Sequence, residues 1–167
     1  NILACWYAGQ MGLPVGKLIC ASNSNNVLTD FLATGTYDRN RPFHTTMSPS
    51  MDILVSSNLE RLLYHLCGED TEKLTGWMNA LQSGDAYTVD AATADAVRAL
   101  FYGGCCDDKE TVEVIRNTFE KDGYLCDTHT AVAVGVYEQY LKETGDNTPA
   151  VIASTASPYK FPDSVLD

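Results

Sequence analysis

The sequence predicts an α/β fold in three layers, with a parallel sheet carrying helices on both faces. Short apolar segments that contain β-branched residues alternate with longer segments whose apolar residues recur every three to four positions. The short segments are apolar throughout, which is typical of strands covered on both sides. With 167 residues, of which 45% are hydrophobic, the chain is long enough to form a single domain around its own core.

The composition argues against several classes of partner. The formal net charge is −11, and the acidic residues are spread along the chain. Such a surface repels phosphate backbones and anionic lipids, so we expect neither nucleic acid nor a membrane as a partner. The six cysteines are scattered, and several of them lie in apolar patterns. This usage is typical of a reduced, cytoplasmic protein without disulfides.

The first elements are bounded by helix start and stop signals. Residues 1–12 have helical spacing, with Asn1 as the cap and a glycine at the end. Residues 18–21 form a short apolar strand that leads into a polar, asparagine-rich stretch. Residues 27–34 form a second helix, which we expect to end near Gly35.

The middle of the chain is rich in helices. Residues 36–51 have no period and predict a long loop, whereas residues 52–122 form a helix-rich section with four apolar stripes. The stripes are Val55, Leu59, Leu62, Leu63 and Leu66; Leu74, Trp77, Met78 and Leu81; Val97, Leu100 and Phe101; and Val112, Ile115 and Phe119. Asp90 caps the third helix, and Asp107 with Glu110 forms a capping box before the fourth.

The last part of the chain predicts strands that alternate with helices. Residues 124–126 form a short strand, and a helix over 129–143 follows, capped by Asp127 or Thr128. Another helix begins at Pro162.

Between these two helices lies the segment that most suggests a binding site. The β-branched run at residues 150–154 predicts a buried strand, and it ends in the hydroxyl residues Ser154, Thr155 and Ser157. Ligands of parallel α/β sheets bind where the strands end, and small hydroxyls there can hydrogen-bond a flat ligand. An ordinary exit from strand to turn is the alternative reading.

Other residues offer weaker candidates for chemistry. One set of cysteine, aspartate and histidine residues has the ligand types that suit zinc. Its spacing lacks a Cys-x-x-Cys pair, so we predict no metal site there. The set consists of Cys105, Cys106, Cys126, Asp127 and His129. His129 lies in the first turn of a helix, where it could act as an acid or base or make a capping contact; both readings stay open.

Separate motifs, in order along the chain, carry a family resemblance. They are NILA at 1–4, LICASN at 18–23, NVLTDF at 26–31, SPSMDI at 48–53, SSNLER at 56–61, DTHTA at 127–131 and STASPYKF at 154–161. Together they resemble threonine synthase, a pyridoxal-phosphate (PLP) lyase of fold type II, the tryptophan-synthase-β-like fold. The resemblance runs from end to end and is weakest over 68–122.

The resemblance implies a reaction and a cofactor site. O-phospho-L-homoserine and water would give L-threonine and phosphate, with PLP as the cofactor. Thr155, next to Ser154, would hydrogen-bond the pyridine nitrogen of PLP. Asn1 would end the phosphate loop, and the helix that follows would face the phosphate with its N-terminus. His129 and Thr130 would contact the substrate or support the groups that do.

The chain departs from the family pattern at two positions and in its extent. Thr128 stands where the family usually has proline, and Ser157 stands where histidine is common. The Schiff-base lysine and the glycine-rich phosphate loop lie upstream in the family. We therefore expect a fragment, the C-terminal part of a PLP-binding domain without its N-terminal part, which is inactive alone. Its partners would be the remainder of its own chain and, through uncovered apolar surface, further copies of itself.

Two alternatives belong to other classes of function. One is a non-catalytic, acidic α/β module that keeps the scaffold and binds a partner or a small anion. The other is a metal or thiol-redox module built on the cysteines. Bound zinc would support the latter.

Overall fold

The computed structural model describes residues 1–166 and has a mixed α/β fold. The helices are α1 (Ile2–Gln10), α2 (Val27–Thr34), α3 (Leu59–Leu66), α4 (Thr71–Ser83), α5 (Ala91–Leu100), α6 (Asp108–Asp122), α7 (Thr128–Thr144) and α8 (Pro162–Leu166). The strands are β1 (Leu18–Ser22), β2 (Thr36–Tyr37), β3 (Tyr87–Thr88) and β4 (Phe101–Cys105), and short 3-10 turns occupy Pro49–Met51 and Pro158–Lys160.

The strands form two pairs. β1 pairs with β4, and their matching ends meet: the Cys106 N–H donates to the Ser22 carbonyl over 3.0 Å at one end. At the other end, Lys17 Nζ donates to the carbonyls of Arg98 and Ala99 over 3.1 and 2.8 Å. These two strands are therefore parallel, and the predicted α/β class with a parallel sheet is confirmed. β2 and β3 pair antiparallel.

The chain divides into two compact units. The first comprises residues 1–20, 27–43 and 53–103. The second comprises residues 21–26, 44–52 and the chain from residue 104 onward. Each unit has its own buried apolar cluster.

The core of the first unit combines residues of α2 with residues of the predicted stripes. Phe31 and Leu63 are fully buried, and Val27 and Val97 are 1% exposed. Val55 does not join them, because the helix begins later, at Leu59, and leaves Val55 44% exposed. Burial of such side chains is worth roughly 1.5–3 kcal/mol each.

The second unit is centred on the pair α6 and α7. Val114, Ile115, Cys126 and Ala131 form its apolar cluster. The predicted caps are confirmed: Asp107 makes a capping box with Glu110 at the start of α6, and Asp127 caps α7. Within residues 1–166, none of the helices has the length and apolarity needed to cross a bilayer.

Two predicted strands are absent, and one predicted helix residue lies in a strand. Residues 124–126 and 150–154 have no strand structure, and Val151 is 97% exposed. Phe101 does not end the third helix but begins β4. A strand exists only where a neighbour exchanges hydrogen bonds with it, and an apolar β-branched run does not reveal whether that neighbour is present.

Candidate functional site

The predicted site residues of the second unit lie around the N-terminus of α7. Asp127 is 1% exposed, and its carboxylate accepts hydrogen bonds from the N–H groups of His129 (2.9 Å) and Thr130 (3.1 Å). The Thr130 hydroxyl also donates to Asp127. A carboxylate is stable here because the first turn of a helix has free N–H groups and the positive end of the dipole.

His129 connects this helix to a loop of the same unit. The N–H of Ser50 donates to His129 Nε2 over 3.2 Å, so this nitrogen must be unprotonated. The proton of the neutral ring is therefore on Nδ1, which lies 3.3 Å from Asp127 Oδ1 and 3.3 Å from Thr128 Oγ1. Both nitrogens have partners, and the ring packs against Phe161.

Ser154 joins the same cluster. Its Oγ lies 3.1 Å from Thr130 Oγ1 and 3.4 Å from the Tyr124 hydroxyl oxygen. We call Asp127, Thr130, Ser154 and Tyr124 the hydroxyl chain. Thr155 follows directly and is exposed, so its hydroxyl is accessible to a ligand.

Asn1 lies in the first unit, where it precedes α1 and is exposed. Its side chain makes no capping hydrogen bond. Helical bonding begins with Cys5 N–H donating to the Asn1 carbonyl over 3.2 Å, so the preceding N–H groups have no helical partner. Such a terminus has the donors that a phosphate group needs. Each unit thus has a group of a type that can bind PLP: backbone donors at the start of α1 in the first unit, and the exposed hydroxyl of Thr155 in the second.

A buried polar network was missed by the sequence reasoning. Asp52 Oδ1 accepts hydrogen bonds from the amides of Asn23 (2.8 Å) and Asn25 (3.1 Å) and from the hydroxyl of Thr46 (2.7 Å). These contacts hold the loop 44–52 against the residues that follow β1, and this loop carries Ser50. The polar stretch after β1 was a visible signal, but nothing in the sequence identified Asp52 as its acceptor.

The metal and thiol-redox alternative finds no support among the described residues. They contain no group of three or more His, Cys, Asp or Glu side chains that could hold a metal ion, and none of the six cysteines is in a disulfide. Cys106 is 1% exposed, and burial raises the pKa of its thiol to about 11. Cys126 is also fully buried, so both thiols are packing residues.

Comparisons with known proteins find relatives of this chain. A family model described as threonine synthase, C-terminal, matches residues 130–167. Human threonine synthase-like 1 is 41% identical over 99% of this chain. Threonine synthase from Saccharomyces cerevisiae is 36% identical, also over 99% of the chain.

Solved structures show the same similarity. PLP-bound threonine synthase from Brucella melitensis matches 98% of the chain with a TM-score of 0.91 and 40% identity. Yeast threonine synthase matches 98% of the chain with a TM-score of 0.92 and 35% identity.

The match covers only part of each relative. The chain spans 22% of human threonine synthase-like 1 and 35% of the yeast enzyme. It spans 34% of the Brucella melitensis structure. Over 98–99% of its length, then, this chain is similar in sequence and in fold to one segment of threonine synthases.

Proposed function

We propose that the chain is part of a PLP-dependent threonine synthase, which converts O-phospho-L-homoserine and water to L-threonine and phosphate. The observation that carries this proposal is the match of 98% of the chain to a PLP-bound threonine synthase at a TM-score of 0.91. In this proposal, residues 1–167 are the C-terminal part of a single cofactor domain, and the rest of that protein is their first partner.

The proposal gives the predicted residues distinct roles at the cofactor. PLP supplies an electron sink when bound. Thr155 would donate or accept a hydrogen bond at its pyridine nitrogen, and a neutral hydroxyl there does not stabilise a protonated ring nitrogen as a carboxylate would. Asn1 and the N–H groups at the start of α1 would bind the phosphate. His129 and Thr130 would support the site from α7.

The setting of this activity is part of the same proposal. Six cysteines without a disulfide and a net charge of −11 suit a cytoplasmic protein. The alternative of a non-catalytic acidic module is not favoured, because the similarity to threonine synthases extends over 98–99% of the chain.

The test uses the full-length protein that contains these residues. We expect it to bind PLP and to release phosphate and threonine in equal amounts from O-phospho-L-homoserine. The purified 167-residue chain should show no turnover. None of its six lysines lies in a motif like the one that carries the family's cofactor-binding lysine. Turnover by this chain alone would contradict the proposal.

A substitution at Thr155 tests the assignment of the site. Loss of one hydrogen bond to the cofactor is worth about 1 kcal/mol, so Thr155→Val should weaken PLP binding roughly five- to tenfold. Thr155→Ser keeps the hydroxyl and should retain most of the affinity.

The second candidate function is that of a PLP-dependent protein that catalyses a different reaction. Human threonine synthase-like 1, at 41%, is more similar to this chain than yeast threonine synthase, at 36%. PLP binding without threonine formation would favour this candidate.

A further inference from the structure

Thr155 lies in a segment that regular structure does not hold in place. Residues 150–156 have neither helix nor strand structure, so no backbone ladder fixes them. In this fully described segment, the hydrogen bonds are those of the Ser154 side chain, to Thr130 and Tyr124. The position of Thr155 along the chain therefore depends on how its neighbour Ser154 is bound.

The Thr130 hydroxyl is the central contact of the hydroxyl chain. It is placed to donate both to the Asp127 carboxylate and to Ser154 Oγ, which lies 3.1 Å from Thr130 Oγ1. Ser154 Oγ also lies 3.4 Å from the Tyr124 hydroxyl oxygen, and either of these two atoms can be the donor. Ser154 is therefore connected to Asp127 and to the start of α7 through Thr130.

The inner end of this chain is rigid. Asp127 is 1% exposed and Thr130 is 4% exposed, and both are fixed by backbone hydrogen bonds at the start of α7. The outer end lies at the surface, since Tyr124 is 50% exposed and Ser154 is exposed. The helix therefore holds the segment that carries Thr155 through the contact between Thr130 and Ser154.

We propose that Thr130 and Ser154 are positioning residues, which hold Thr155 in place for a hydrogen bond to the ring nitrogen of a pyridine cofactor. This inference rests on the proposed function for the identity of the cofactor, but its structural part concerns only residues 124–156. Thr130 acts through Ser154 on Thr155 and does not itself contact the cofactor.

The chain offers a matched control. Thr93 occupies the same position in α5 as Thr130 does in α7, the third residue after an aspartate cap. Its N–H and its hydroxyl both bind Asp90, over 3.0 and 3.1 Å, and it is 1% exposed. Thr93 has no counterpart of Ser154 among its hydrogen bonds. Thr93→Val and Thr130→Val therefore each remove a hydroxyl contact with the capping aspartate, and only Thr130→Val also removes the contact with Ser154.

The first measurement is amide hydrogen exchange of the cofactor-free, full-length protein. Thr130→Val and Ser154→Ala should each increase exchange over residues 150–156 about five- to tenfold, the equivalent of one lost hydrogen bond. Thr93→Val should leave that segment unchanged, and Thr130→Ser should restore it. Ser154 is exposed, so Ser154→Ala keeps the fold even if Thr130→Val does not.

The second measurement is PLP affinity in a double-mutant cycle. Thr130→Val and Thr155→Val should each weaken PLP binding about five- to tenfold, and the double variant should be no weaker than Thr155→Val alone. The bound cofactor's absorbance should shift in the same direction in both single variants and stay unchanged in Thr93→Val.

The outcomes separate this inference from the proposed function. Additive effects of Thr130→Val and Thr155→Val, or exchange over 150–156 that is equal in Thr130→Val and Thr93→Val, would overturn the positioning role. If the wild-type protein binds no PLP, the proposed function fails and the cofactor part of this inference is overturned with it. The exchange experiment then still decides whether Thr130 and Ser154 order the segment.

Discussion

At the scale of single residues, His129 shows how one side chain can connect three parts of a unit. Its Nε2 accepts from the Ser50 N–H, its Nδ1 faces Asp127, and its ring packs on Phe161. The spacing of the sequence places this histidine in the first turn of a helix. The identity of its partners depends on the loop 44–52, which is far away in the sequence.

A pair of substitutions tests this connection. Glutamine places its amide about where Nε2 lies and can accept from Ser50, whereas asparagine reaches only as far as Nδ1. We expect His129→Asn to lower the free energy of unfolding by about 1 kcal/mol more than His129→Gln does. Urea unfolding measures this difference, and exchange of the Ser50 amide locates it. Equal losses of unfolding free energy in the two variants would show that the hydrogen bond at Nε2 contributes nothing to stability.

Asp146 gives a prediction about acid stability. Hydrogen bonds from the Thr148 hydroxyl, the Tyr140 hydroxyl and the Thr148 N–H lower the pKa of its carboxyl from 3.8 to about 2. Because the pKa is lower in the folded state, the stabilisation is complete above about pH 4 and is lost as the pH falls towards 2. Thr148→Val removes the largest of these contributions.

We therefore expect Thr148→Val to raise the pKa of Asp146 towards its ordinary value and to reduce the stability lost between pH 4 and pH 2. Carboxyl titration by NMR checks the first effect, and unfolding curves at several pH values check the second. Thr75→Val, an exposed substitution in α4, should change neither. An unchanged titration of Asp146 in Thr148→Val would contradict the assignment.

At the scale of elements, the close contact of α6 and α7 depends on a missing side chain. A Cβ atom at Gly135 would lie 3.0 Å from Cys106 Sγ and 3.2 Å from Val114 Cγ2. A glycine in the middle of a helix is unfavourable in isolation, so its presence here has a packing reason. The same logic applies in β4, where a Cβ at Gly103 would lie 2.9 Å from Leu32 Cδ1.

Gly135→Ala tests this packing. We expect it to destabilise the fold by about 1–3 kcal/mol, because Cys106 and Val114 must move away from the added methyl group. Gly76→Ala is the control: no atom lies within 4 Å of a Cβ there, so alanine should stabilise α4 by up to about 1 kcal/mol. Urea unfolding measures both. Opposite signs for the two variants support the packing explanation, and a neutral Gly135→Ala refutes it.

At the scale of the whole molecule, apolar surface and net charge oppose each other. Val151 is 97% exposed, Met11 is 88% exposed and Tyr159 is 88% exposed. The charge of −11 keeps copies of the chain apart, and salt screens that repulsion.

We expect the 167-residue chain to self-associate as its concentration rises, and more strongly at high salt. Sedimentation velocity at several concentrations and salt levels measures this. Val151→Ser and Met11→Ser together should reduce association, whereas Asn79→Ser, at an exposed polar position of α4, should not. A single monomer boundary under all conditions would refute the expectation.

The helices, their caps and the family resemblance can be read from the sequence alone. Asp90, Asp107 and Asp127 cap the predicted helices because a cap is a contact between residues two or three positions apart, which spacing reveals. Which segments form strands, and which residues the site residues contact, depends on the tertiary structure. β4 exists because β1 lies beside it, and residues 150–154 have no such neighbour in the described chain. The Asp52 network and the contact of Ser50 with His129 join residues far apart in sequence, and only the folded backbone brings those atoms within bonding distance.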